Sequence, residues 1–279
     1  MTEESPALYV VPTPLGNLAD ITQRAIDVLR RVAWVAAEDT RHTSPLLKHY
    51  GSAARLLPAH EHNEEGAAQQ VIARLAGGES VALVSDAGTP AVSDPGARLV
   101  ARVRAAGYRV VPLPGACAAV TALSASGLGE PHFLFYGFLP AKTKQREDAL
   151  RTLANLPYVL VFYEAPHRIL ETVASLAGVF GQGRTLVFAR ELTKLFETIH
   201  SCPLEEALAW LKADANRQRG EFVLLVSGAP EAGAGDDGER VLRLLLDDGI
   251  SVKQAARLAQ AITGAPRNAM YDLALSIKA

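Results

Sequence analysis

The stretch "SDAGTPAVSDPG", Ser85 to Gly96, stands directly behind the apolar run "VALV", Val81 to Val84. Two Ser-Asp pairs, two glycines and two prolines within twelve residues neither prolong a strand nor pack as a helix. Beyond this loop a helical pattern runs from about Leu99 to Ala105. An apolar strand, a polar loop and a helix in that order make the repeating unit of a parallel sheet.

The unit recurs on both sides. "ALYVV" (7–11) leads into "PTPLGNLAD" (12–20), after which Ile21, Ala25, Val28 and Leu29 follow helical spacing. Asp20 and Gln23 are placed to open that helix as a capping box. "WVAAED" (34–39) reads as the next strand, followed by "RHTSPLLKHY" and a helical stretch from Glu64 to Leu75. After the opening loop come the strand "RVVPL" (109–113) and "PGACAAVTALSAS" (114–126), a loop running into a helix. Strands without polar alternation are those buried on both faces, so the first region, 1–128, is expected to be an α/β domain.

Four strand-like runs then follow at a different pace: "HFLFYGF", "YVLVFYEA", "TLVFARE" and "EFVLLVSG". Helices are expected at Lys142–Leu153, Arg168–Phe180 and Leu204–Lys212, and "FETIHS" is expected as a fifth strand closing a hairpin on "TLVFARE". This gives a second α/β domain, 129–229, with a mixed sheet. The small, acidic, glycine-rich "APEAGAGDDG" (229–238) reads as a linker, with its boundaries set at 230–238. Three short helical patterns broken by Gly249 and Gly264 make a helix-turn-helix-like region, 239–279, whose cations are Lys253, Arg257, Arg267 and Lys278.

Composition narrows the functional classes. Lys plus Arg is 28 against 30 Asp plus Glu, so the chain is no strongly basic binder, although a basic stripe can sit inside a neutral total. Cys117 and Cys202 are too few for a disulfide framework or zinc cluster, and they read as buried packing residues of a cytoplasmic protein. Neither a secretion signal nor a membrane span is recognisable. "HEH" (60–62) sets two histidines on one side of a presumed strand, but without a third ligand no metal is expected.

Ligands of open α/β sheets lie beyond the carboxyl ends of strands, where "PTPLGNLAD", "EDTRH", "SDAGTPAVSDPG" and "PGACAA" all fall. Neither GxxxxGK[ST] nor a strand-following GxGxxG is present, which removes the main support for a nucleoside triphosphate or a dinucleotide. Gly16, Gly88, Gly96 and Gly115 permit close backbone approach, and Asp86 and Asp94 supply carboxylates. That set suits ribose hydroxyls, an amino group and a carboxylate, which S-adenosylmethionine combines.

At this point the motifs resemble a known family. "PTPLGNLAD", "AEDTRHTSPLL", "EHNE", "SDAGTPAVSDPG", "PLPGACAAVTAL", "FYEAPHR", "ARELTK" and "RGEF" stand in the order seen in the ribosomal RNA small subunit methyltransferase I family. This family is the ribose 2′-O-methyltransferase branch of the tetrapyrrole methylase superfamily. One departure is Arg219 in "RGEF", where the family's pattern has lysine.

The resemblance implies two α/β domains clasping S-adenosylmethionine, usually in a homodimer. It implies a cytidine ribose in the decoding region of small-subunit rRNA as substrate. It also implies that Pro14, Leu15 and Gly16, then Asp86, Ala87, Gly88 and Thr89, then Pro114, Gly115, Ala116 and Cys117 line the cofactor pocket, with Pro90 helping to shape it. Tyr163 and Ala165 would close the pocket from the second domain. Asp39, Arg41, Glu164, His167, Glu191 and Lys194 are the loop-edge candidates for a base or for a cation facing the developing alkoxide. RNA contacts are expected from Arg41 and Lys48, from Lys142, Lys144 and Arg146, from Arg190 and Lys194, and from the tail. Competing readings are a methylase of tetrapyrroles or diphthamide, a non-catalytic RNA-binding protein, and a nucleotide-sugar or phosphate enzyme. Phosphate-binding residues for the last are missing.

Overall fold

The computed structural model describes residues 5–230 and 236–278. Residues 231–235 of the expected linker lie outside them.

The first sheet has five parallel strands: β1 (Ala7–Val10), β2 (Trp34–Ala37), β3 (Arg55–Pro58), β4 (Val81–Val84) and β5 (Arg109–Pro112), in the order β3-β2-β4-β1-β5. Side chains alternate across it as strand geometry requires. Tyr9 and Val11 pack on one face with Val28 and Leu29 of α1 (Gln23–Arg31). On the other face Leu8 packs with Val71 of α3 (Glu64–Ala76) and with Leu99 of α4 (Ala97–Ala105). Between β2 and β3 lies α2 (Thr40–His49). With the three inner strands β2, β4 and β1 covered by helices on both faces, their apolar runs need no polar alternation.

Three sequence expectations are corrected in this region. The edge strand β3 is absent from the sequence reading, so "SDAGTPAVSDPG" follows the fourth strand in the chain rather than the third. Asp20 does not cap α1, because it ends a 3-10 turn begun at Leu18. The cap is Thr22, whose hydroxyl accepts the Ala25 N–H at 3.2 Å. His60 and His62 sit in a turn after β3 rather than on a strand.

The second sheet holds β6 (Phe133–Phe138), β7 (Val159–Glu164), β8 (Thr185–Arg190), β9 (Thr198–Pro203) and β10 (Phe222–Val226) in the order β6-β7-β10-β8-β9. Only β6 and β7 pair in parallel; β8 and β9 form the expected hairpin. Of the helices α6 (Thr143–Leu153), α7 (Ile169–Phe180) and α8 (Leu204–Lys212), α8 packs on β8 and β9, and α7 lies between α6 and α8. The helix following β5, α5 (Ala118–Ala125), packs its Ala119 and Ala122 against Val161 and Val223 of this second sheet. Both sheets thus belong to one compact unit, residues up to Ala154 with Tyr158–Ser227.

A second unit, Asn155–Pro157 with residues from Gly228 onward, contains α9 (Asp236–Asp247), α10 (Val252–Thr263) and α11 (Arg267–Lys278). Its own small core joins Leu242, Ala256, Ala259 and Met270. Among the described residues no helix is long and apolar enough to cross a membrane.

Candidate active site

Three loops at the carboxyl edge of the first sheet are stitched together. Thr13 and Gly88 exchange backbone hydrogen bonds, each 2.9 Å, and the Thr13 hydroxyl donates to the Ser85 carbonyl. The Thr89 hydroxyl donates to the Ala116 carbonyl at 2.8 Å. Gly88 sits at φ +78°, a conformation that glycine adopts without steric cost, so the loop turns sharply here. At Gly115 an added Cβ would lie 2.6 Å from Pro12, and at Gly16 one would lie 2.4 Å from Lys194 Cγ. These two glycines therefore accommodate neighbouring side chains.

Where the first-sheet loops face the second sheet, a cavity of about 340 Å³ opens. Leu15, Ala87, Gly88, Thr89 and Cys117 line it from one side, and Tyr163, Glu164 and Ala165 from the other. The sequence reading named all of these. It missed the apolar walls Val92, Phe138, Leu192 and Val223, because nothing distinguishes them in sequence from core residues. Tyr163 closes the site by accepting the Ala119 N–H at 3.1 Å through its hydroxyl, and burial pushes its phenol up. Cys117 and Cys202 are half-buried rather than buried, and Cys117 faces the cavity.

A larger groove of about 870 Å³ shares Leu15, Ala87 and Glu221 with that cavity. Pro14, Gly16, Asp86, Arg41 and Lys194 border it, with His42 and His49 of α2. The predicted residues thus divide into an inner set and an outer set. Pro114, Gly115, Ala116, Asp39 and His167 line neither space; His167 lies exposed in the turn after β7.

Acid and base candidates are separated by their partners. Asp39 caps α2 through the Arg41 N–H and binds the Arg41 guanidinium at 2.7 Å. Those hydrogen bonds hold its carboxyl at about 2. Glu164 is buried, with one oxygen held by Arg168 at 2.6 Å and the other accepting from the Thr172 hydroxyl. Both carboxylates are thus engaged by an arginine. Lys194 bonds Glu191 at 3.1 Å and Glu221 at 2.9 Å. Burial pulls its ammonium down, but the two carboxylates together outweigh this and raise it. Asp94, on the cavity wall, is raised to about 6 by burial and then by the charge of Glu38. Glu38 is raised for the same reasons, with Asp86 as its charged neighbour.

One expected RNA contact, Arg146, is buried. Arg146 is 1% exposed, donating to Ser175 Oγ, the Ala141 carbonyl and Thr143 Oγ1. Arg190 is committed to the carbonyls of Arg219 and Phe196 and to the Thr198 hydroxyl. Among the described residues no three His, Cys, Asp or Glu side chains stand together as a metal site.

A five-stranded parallel sheet, a mixed sheet and a cleft walled by their loops define a protein of the methylase class described as Tetrapyrrole (Corrin/Porphyrin) Methylases, whose pattern matches residues 7–208. Solved structures share this fold: diphthine synthase (TM-score 0.61, 16% identity, 80% of this chain and 90% of that one) and the methyltransferase CobJ (0.60, 22%, 81% and 95%). A uroporphyrin-III C-methyltransferase from Thermus thermophilus, solved with S-adenosyl homocysteine, gives 0.55 at 20% identity, covering 79% of this chain and 97% of that one. Proteins named ribosomal RNA small subunit methyltransferase I are much closer in sequence. That of Escherichia coli O157:H7 is 53% identical (96% of this chain, 94% of that protein), and that of Pseudomonas aeruginosa is also 53% identical (96% of each). Residues 232–278 match the RsmI C-terminal HTH domain. The chain belongs to the ribosomal RNA small subunit methyltransferase I family.

Proposed function

We propose that this chain transfers the methyl group of S-adenosylmethionine to the 2′-hydroxyl of a cytidine ribose in the decoding region of small-subunit rRNA. The observation that carries this reading is the inner cavity, where "SDAGTP" meets "FYEAP" beside a groove bordered by Arg41 and Lys194.

The residues present fit the donor. The cavity has the size of a small-ligand site. The sharp turn at Gly88 leaves backbone rather than side chain along one wall, Asp94 offers a carboxylate to an ammonium, and Leu15, Leu192 and Val223 offer apolar surface to an adenine. When bound, the donor supplies an electrophilic methyl on sulfur; the O–C bond forms as the S–C bond breaks, and the hydroxyl proton leaves to solvent on the groove side. The chain's main contribution is to hold hydroxyl and methyl in line, an effect worth up to ~7–11 kcal/mol. Leu192 and Val223 exclude water from the cavity, while Lys194 and Arg41 present positive charge to the phosphates and to the developing alkoxide. Neither Asp39 nor Glu164 takes the proton, since each is held by an arginine.

The same reading includes a homodimer working in the cytoplasm, supported by the exposed Phe133 and Phe138 on edge strand β6. Small subunits lacking the modification, incubated with the protein and labelled donor, should acquire label on a single ribose. Label on a base, or none on RNA, overturns the assignment.

A further inference from the structure

The two most exposed large apolar side chains among the described residues are adjacent: Leu195, 89% exposed, and Phe196, 67% exposed. They form the tip of the β8–β9 connection, immediately after Lys194 on the groove wall. An exposed apolar pair is normally a liability, and a mobile loop would fold it away. Here the backbone prevents that. The Thr193 N–H donates to the Glu197 carboxylate at 2.6 Å, the Lys194 N–H to the Glu191 carbonyl, and the Glu197 N–H to the Lys194 carbonyl. The Arg190 guanidinium holds the Phe196 carbonyl at 3.1 Å. Glu191 and Thr193 lie at φ +53° and +66°, a conformation that non-glycine residues hold only where the surroundings enforce it. The tip is thus held rigidly in water beside the groove.

Resting on the reading above, we propose that Leu195 and Phe196 are a wedge that stacks into the RNA next to the target nucleotide and holds that nucleotide out of its helix. The inner cavity, about 340 Å³, is too small to admit a duplex, so one nucleotide must leave the stack for its ribose to enter. A vacated stack is filled by an aromatic or aliphatic face, and unstacked bases pair with such side chains in single-stranded RNA recognition. Lys194 and Arg41 then meet the phosphates flanking the extruded nucleotide. RNA is favoured over a protein partner because the tip adjoins a groove bordered by Arg41, whose side chain is 90% exposed, and by Lys194, whose ammonium Glu191 and Glu221 share.

The test compares the parent, Phe196→Ala and Phe196→Trp on assembled small subunits, and on subunits whose rRNA carries a mismatch opposite the target nucleotide. Phe196→Ala should lose about ten- to a hundred-fold in kcat/KM on the paired target, as loss of one stacked base implies. Its affinity for S-adenosyl homocysteine should not change, Phe196→Trp should recover most of the rate, and the mismatch should restore Phe196→Ala to near parental turnover. Equal rates for the parent and Phe196→Ala on the paired target overturn the wedge, as does a defect that the mismatch leaves in place. A change in oligomeric state on light scattering assigns the patch to contact between copies and also overturns it. If the parent itself leaves the subunit unlabelled, it is the proposed function that falls.

Discussion

Asp94 carries its proton more tightly in the folded chain than in the unfolded one, and the sign of that difference has a measurable effect. Its folded pKa is about 6 against 3.8 for a free side chain. The stability that this proton contributes is therefore complete below about pH 4 and disappears as pH rises through 6. Glu38, raised in the same cluster, acts in the same direction. Replacing Asp94 by Asn should remove the penalty at neutral pH, about 1 kcal/mol once the partial exposure of the site is discounted. Thermal melts should place Asp94→Asn above the parent at about pH 8, with the gap closing near about pH 4. A gap that does not depend on pH would show that this carboxylate is not the group involved.

Gly16 gives a second test at this scale. A methyl group there collides with Lys194 and must push the ammonium off Glu191 and Glu221. Gly16→Ala should slow methyl transfer about ten-fold through misplacement, with calorimetric affinity for S-adenosyl homocysteine retained. The glycine was visible in the sequence, but its reason was not. The atom it makes room for belongs to a lysine 178 residues further along, brought there only by the fold.

Among the elements, α6 and α7 are joined by a charge that the sequence suggests should face solvent. Arg146 reaches Ser175 Oγ at 3.0 Å and Glu171 at 3.5 Å on α7. Arg146→Met should cost about 2–4 kcal/mol by urea unfolding, and Arg146→Lys should recover little because an ammonium cannot reproduce the planar fork. Equal stability of Arg146→Met and the parent would refute this role. Strongly apolar elements such as β4 and β10 were legible because full burial leaves no polar residue to obscure the pattern. By contrast β3, four residues with arginine and proline at its ends, buries only Leu57 and carries too little pattern to read. The start of α1 was misread because Asp20 and Thr22 are equally good caps until the 3-10 turn claims one of them. The inner wall of the site was legible where it needed special backbone, as at Gly88. It was illegible at Leu192 and Val223, where it needed only a smooth apolar surface.

For the molecule as a whole, formal charge totals −2, so net charge contributes little long-range attraction for RNA, and recognition falls to local cations and to the shape of a folded target. Helix α5 continues from a strand of the first sheet yet lies against the second, and its first turn is held by the hydroxyl of Tyr163. A single span of eight residues thus acts as a rivet through both lobes. Crowding it with Ala122→Leu should weaken both sheets at once, by about 1–3 kcal/mol, and tryptophan signals from Trp34 and Trp210 should melt together rather than in sequence. With the two sheets tied at α5, spent donor is expected to leave and fresh donor to enter through the mouth of the cavity. The pace of turnover would then be set at that doorway, which is where a small inhibitor plugging the passage would act.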